Sequence, residues 1–139
     1  MNMKDIKEKL INEYPLTKKM DCSFECYEVM KCRYVIFYNE KIDNKNSFDS
    51  LPDVFNDATK NFPKGTLLIK GKTLIIVGHT DEEIKKKDLV VCNGNADTFI
   101  VYYLKNDSTN EIYFDDQWIY RLGLNWKKRV RKFNENLNS

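Results

Sequence analysis

Between residues 20 and 38 the chain alternates. Met20, Cys22, Phe24, Cys26, Met30, Cys32, Tyr34, Ile36 and Tyr38 all occupy even positions, and Glu28 is the one polar exception. Side chains on a strand point to opposite faces in turn, so this spacing predicts two strands sharing one apolar face. The turn between them is expected near residues 28–31, although no Gly or Asn marks it. Residues 39–47 are polar and read as an exposed loop. On the N-terminal side the period changes to that of a helix over 3–14: Met3, Ile6, Leu10 and Tyr14 form the stripe, Asn2 caps it and Pro15 ends it.

A second helix is expected to open at Ser50, Pro52 and Asp53, where Ser50 with Asp53 resembles a capping box and Pro52 falls in the first turn. Val54, Phe55, Ala58 and Phe62 give its apolar stripe, and Pro63-Lys64-Gly65 closes it. Residues 66–70 and 73–77 are almost continuously apolar and flank Gly71-Lys72, which predicts a hairpin with a type II′ turn deep in a sheet. Thr80 and Glu83 then read as the cap of a short helix or turn. Short strands are expected at 89–92, 97–104 and 111–114, with a loop over 105–110. Asp115 or Asp116 caps a final helix whose stripe is Trp118, Ile119, Leu122, Trp126, Val130, Phe133 and Leu137, with a break or kink at Gly123. The order predicts an α+β fold: a single domain over 1–139, a largely antiparallel sheet, and an N-terminal, a middle and a C-terminal helix.

At 139 residues, with 42% hydrophobic side chains, the chain can bury one core without staples. Its 23 basic and 21 acidic residues leave a net charge of +2, so the surface as a whole does not read as a nucleic-acid grip. Lysine and asparagine are abundant and there are only two alanines, the mark of an AT-rich coding bias, which weakens any inference from lysine clusters. No apolar run nears the roughly 18–20 residues of a membrane span. The first residues are charged throughout, unlike a signal peptide, so a cytoplasmic location with reduced thiols is expected. Asn106-Asp107-Ser108 spells a glycosylation sequon that has no meaning without export.

Catalytic patterns are weak. Cys22, Cys26 and Cys32 share a parity, and adding His79 or Cys92 would make a four-ligand zinc set. Residues four apart on a strand sit about 13 Å from one another, however, too far for one zinc ion, so no metal and no cofactor are expected. His79, the only histidine, has no nucleophile at a telling spacing. Asp115-Asp116 and Asp81-Glu82-Glu83 are explained by helix capping. Two features point to binding. Lys127, Lys128, Arg129, Arg131 and Lys132 surround Val130 on the last helix, and Tyr102, Tyr103, Tyr113 and Tyr120 crowd one stretch with Trp118 and Trp126. Exposed tyrosines anchor protein interfaces. Tyr102, Tyr113, Tyr120, Lys127, Lys128 and Arg131 are therefore the candidate partner-binding residues.

Residues 93–99 (Asn93-Gly94-Asn95-Ala96-Asp97-Thr98-Phe99), the strand that follows, and Glu111-Ile112-Tyr113-Phe114-Asp115 ahead of a helix carrying Trp118, Trp126 and Phe133 together resemble SUKH-type immunity proteins. The likeness covers about residues 92–133. The N-terminal half departs from that family, with Pro15-Leu16 and Leu51-Pro52 standing where its proline-containing opening would be. The resemblance implies an α+β domain that binds and neutralises a cognate bacterial toxin and brings no catalytic residues. A non-enzymatic cytoplasmic binding protein of this kind is the expected function. The alternatives are a nucleic-acid-associated or anti-phage accessory protein using the basic helix, and a small enzyme with a carboxylate site.

Overall fold

The computed structural model describes residues 4, 8, 18–30, 32–43, 46–64, 71–92 and 98–114. In chain order these form β1 (Lys18–Met20), β2 (Glu25–Met30), β3 (Arg33–Lys41), α1 (Asn46–Ala58), β4 (Lys72–Thr80), β5 (Val90–Cys92), β6 (Thr98–Asn106) and β7 (Ile112–Tyr113), with one turn of 3-10 helix at Lys86–Asp88. The strands make one mixed sheet in the order β1-β2-β3-β4-β6-β5, and β7 also pairs with β6. β1, β2 and β3 are antiparallel neighbours. β3, β4 and β6 run parallel through the centre. β5 and β7 are both antiparallel to β6, β5 along residues 99–101 and β7 along 104–105, so they lie end to end on one edge.

Both faces of the central strands are buried. On one face Cys26, Tyr34, Ile36, Leu74, Ile76, Ile100, Tyr102 and Leu104 pack against Leu51, Phe55 and Phe62, with Ile42, Ile84 and Leu89 completing the cluster. On the other face Val35, Phe37, Ile75, Val77, Val101 and Tyr103 are also buried. This is why the strand sequences read as unbroken apolar runs: a parallel strand covered on both sides has no solvent face to alternate with. The links from β3 to β4 and from β4 to β6 step across the sheet in the same direction. Right-handed crossovers then place both links on one face, which is where Phe55 of the first and Ile84 and Leu89 of the second meet.

Helix α1 begins four residues before Ser50. Ser47 N donates to Asp43 Oδ1 at 2.9 Å, and Asp43 N donates to Ser47 Oγ at 3.0 Å. This reciprocal cap satisfies orphan donors that Ser50 and Asp53 cannot reach. Pro52 therefore lies inside the helix rather than in its first turn. At the other end fully buried Lys72 donates from Nζ to the Thr59 carbonyl at 2.6 Å. A cation at a helix C-terminus complements its dipole and fills an orphan acceptor.

The expected α+β layout, three helices on a largely antiparallel sheet, does not hold. The described residues contain one α-helix, the middle one, on a sheet whose centre is parallel. Of the expected N-terminal helix only Lys4 and Glu8 are described, both helical, and the expected C-terminal helix lies outside the described residues. The 66–70/73–77 hairpin also fails. Residues 72–80 are hydrogen-bonded to β3 on one edge and β6 on the other, so β4 has no edge left for a hairpin partner. The turn signal was partly real: Gly71 has a φ of 76°, the left-handed region glycine tolerates, but it precedes a central strand. The alternation over 20–38 holds as a shared face, with β1 as an additional strand. The turn after β2 reaches Cys32, a buried non-glycine residue at φ 64°. No helix among the described residues is long and apolar enough to cross a membrane.

Asn106, which the sequence places in the 105–110 loop, ends β6 and is 3% exposed. Its Nδ2 donates to the Glu82 carbonyl at 3.2 Å and to Tyr113 Oη at 3.1 Å, and its Oδ1 accepts from Ser108 N at 2.8 Å and Thr109 N at 3.1 Å. All four hydrogen-bonding positions of the amide are thus used, which also leaves the sequon nitrogen unavailable for glycosylation in the folded chain. Asn106→Ala is expected to lower stability by roughly 2–4 kcal/mol. Asn106→Asp, which keeps the acceptors and loses the donors, should fall between it and the parent. Urea unfolding midpoints at unchanged slope measure both.

Candidate functional site

The carboxyl ends of parallel strands are where open α/β sheets present ligand-binding side chains. Here the ends of β3, β4 and β6 bring together Lys41, His79 and Lys105, which are successive register partners, with Asp81 and Asp107 just beyond them. The odd-numbered positions on these strands turn away from α1, so the cluster sits at the polar end of the second apolar face.

His79 is the centre of the cluster. Its Nδ1 lies 2.7 Å from Asp107 Oδ2 and its Nε2 lies 2.8 Å from the Asn39 carbonyl oxygen. A carboxylate and a carbonyl both accept, so the ring serves both partners only when both nitrogens carry hydrogen. The ring ties β3 to the turn after β6 across β4. Backbone bonds reinforce the tie: Ile42 N donates to the His79 carbonyl at 2.9 Å, and Asp107 N donates to the Thr80 carbonyl at 2.8 Å. Beside it Lys41 Nζ meets Asp81 Oδ2 at 2.9 Å. This hydrogen bond, and then the charge of Lys41, hold the Asp81 carboxyl below the usual aspartate range. The same two interactions from Asp81 raise Lys41.

Both ring nitrogens of His79 thus have a protein acceptor within hydrogen-bond distance. The other pieces of chemistry do not converge on it. Asp81 is an ion-pair partner and not a helix cap, because the 3-10 turn starts only at Lys86. Among the described residues no group of three or more His, Cys, Asp or Glu side chains is placed to hold a metal ion. Cys26 and Cys32 are buried and Cys22 is half-buried. Asp115 and Asp116 lie outside the described residues.

The tyrosine candidates divide. Tyr102 is fully buried, its ring standing edge-on to Phe48 at 4.8 Å, so it is a core residue and not a surface anchor. Its position on a strand buried on both faces, invisible to local pattern, accounts for this. Burial, followed by the nearby Tyr38, pushes its hydroxyl well above the ordinary tyrosine range, and that hydroxyl has no hydrogen-bond partner among the described residues. Tyr113 is half-buried, packs against the same core and accepts from Asn106. Tyr120, Lys127, Lys128 and Arg131 lie outside the described residues. The strand-end cluster itself was missed, because its five side chains are spread from 41 to 107. The run Asn106-Asp107-Ser108-Thr109-Asn110 was the available signal, since such residues favour turns closed by side-chain bonds.

Compared with known proteins, the chain matches no family model, no curated protein and no solved structure.

Tyr102→Ala is expected to cost about 3–5 kcal/mol, as for other large aromatic truncations in cores. Tyr102→Phe removes a buried hydroxyl that has no partner among the described residues and should be neutral or stabilising by up to about 2 kcal/mol. Thermal or urea unfolding compares the two. Carbon-detected NMR titration tests the exposed Lys41–Asp81 pair. Asp81 should titrate below ordinary aspartates, and Lys41→Met should move its midpoint upward. The pair persists above the ordinary aspartate pKa and is lost as pH falls through the depressed one.

Proposed function

We propose that this protein acts by recognition and not by catalysis, as a binding protein for a protein partner, and specifically as an immunity-type protein that neutralises a toxin. The observation that carries the first part is the engagement of both His79 ring nitrogens by Asp107 and the Asn39 carbonyl. The one histidine of the chain is spent on holding strand ends together, where a general acid or base needs a nitrogen facing substrate. The second part rests on the likeness of residues 92–133 to SUKH-type immunity proteins. Within the described part of that stretch, a strand, a turn and a strand follow one another as β6, residues 107–111 and β7. With Tyr102 in the core, the binding surface is assigned to Tyr113, Tyr120, Lys127, Lys128 and Arg131, and the cations favour an acidic partner face.

The test begins with tagged protein cross-linked in its native host and identification of the captured partner by mass spectrometry. That partner, expressed alone, is expected to arrest growth, and co-expression of this protein should restore growth through a complex that survives gel filtration. Reversing Lys127, Lys128 and Arg131 to Glu should weaken the complex at least about tenfold, the effect of losing a little over 1 kcal/mol, while His79→Gln leaves neutralisation intact. Rescue without a complex, or rescue abolished by His79→Gln in a protein that still folds, would point to catalysis and overturn the proposal.

A further inference from the structure

β3 is longer than the stretch of β4 it pairs with. The register is regular from Arg33–Thr73 to Phe37–Val77 and resumes at Lys41–His79, so β3 advances four residues, 37 to 41, where β4 advances two, 77 to 79. The surplus forms a bulge at Tyr38, Asn39 and Glu40, an irregularity that parallel pairs rarely hold. The bulge lies close over β4: a β-carbon added at Gly78 would come 3.0 Å from Ile42 Cδ1 and 3.8 Å from the Tyr38 carbonyl oxygen. Its two ends are anchored, Tyr38 by its ring 5.5 Å from Phe55 and Ile42 by its N–H on the His79 carbonyl. Between these anchors Asn39, Glu40 and Lys41 are exposed, and the Asn39 carbonyl meets His79 Nε2 at 2.8 Å.

We infer that His79 is a proton-operated clasp on this bulge, closed when both ring nitrogens carry hydrogen and opened on the Asn39 side when the ring loses a proton. The inference stands apart from the proposed function, since it needs only the ring and its two acceptors. A neutral imidazole keeps one N–H. The Asp107 carboxylate, 2.7 Å from Nδ1, is the stronger acceptor because it is charged, so the remaining hydrogen stays on Nδ1. Nε2 then turns a lone pair toward the Asn39 carbonyl oxygen. Two acceptors at hydrogen-bond distance repel, and the exposed bulge moves off. The closed form binds one proton more than the open form, so rising pH opens the clasp and falling pH closes it. Among the described residues the charged groups around the ring come from all three strands: Lys41 of β3, Asp81 just after β4, Lys105 of β6 and Asp107 in the turn beyond it. His79 is the one histidine of the chain, so a single imidazole is read in the titration.

The test is an NMR titration of the full, isotope-labelled chain over about pH 5 to 9, the span in which histidine charge changes are sought. Long-range proton–nitrogen correlations read the two ring nitrogens of His79 directly. Both should be protonated at the acid end, and the Nδ1–H tautomer should stand at the alkaline end. The carbonyl carbon of Asn39 and the amide of Glu40 should move with the same midpoint as the ring. In His79→Gln, which has no ring to titrate, those two signals should stay flat. In Asp107→Asn the ring's midpoint should fall by about one pH unit or more, the effect of removing one close opposite charge. An Nε2–H tautomer at the alkaline end, Asn39 and Glu40 signals that ignore the ring's titration, or an unmoved midpoint in folded Asp107→Asn would each sink the inference. The first two are read on the parent protein, so they decide the matter even if a variant folds poorly.

Discussion

The rest of the structure depends on one constraint: β3, β4 and β6 lie side by side in parallel, and their side chains on both faces must be kept from water. Parallel strands cannot be joined by tight turns, so each link must travel the length of the sheet, and handedness sends both links over the same face. α1 fulfils that duty between β3 and β4. Ile84, Leu89 and the 3-10 turn fulfil it between β4 and β6. The remaining strands extend this trio. β1 and β2 continue it as an antiparallel ribbon beyond β3, while β5 and β7 share the outer edge of β6.

A sheet buried on both faces still has two polar ends, and here they are closed differently. At the amino ends of β4 and β6, Lys72 supplies the C-terminus of α1 with a donor, and Thr98 Oγ1 donates to Asn56 Oδ1 at 2.8 Å. At the carboxyl ends the His79 ring, the Lys41–Asp81 pair and the Asn106 amide join three strands to their outgoing turns. Two of the side chains that look reactive in the sequence, His79 and Asp81, are absorbed in this closure. The proposed reading of the molecule as a recognition device takes its support from there.

Parts of this were legible beforehand because they are local. Cys26, Tyr34 and Ile36 do share a face with the half-buried Met20, Cys22, Phe24 and Tyr38, as alternation requires. β5, β6 and β7 fall near the positions that short apolar runs and polar punctuation indicated. Of the expected stripe, Phe55 and Phe62 face the core while Val54 is exposed, and the helix starts earlier because Asp43 and Ser47 form its cap. Of the proposed binding residues, Tyr102 was misjudged for a reason of the same kind. A tyrosine on a strand with two buried faces has no outward side, and nothing within a few residues of it reveals how many faces are covered.

The sequence by itself indicated β2 to β7 in outline though not β1 or the far ends of β3 and β6, which face of the β2–β3 ribbon is apolar, and that Gly71 sits where the backbone turns left-handed, because each follows from side-chain period or steric freedom within a few residues. Only the tertiary structure decided that 72–80 joins two parallel neighbours instead of a hairpin partner, and that His79 closes on Asp107 and Asn39. Those outcomes depend on which edges of a strand are already occupied and on how the chain bends back, and neither is encoded in any one stretch of neighbouring residues.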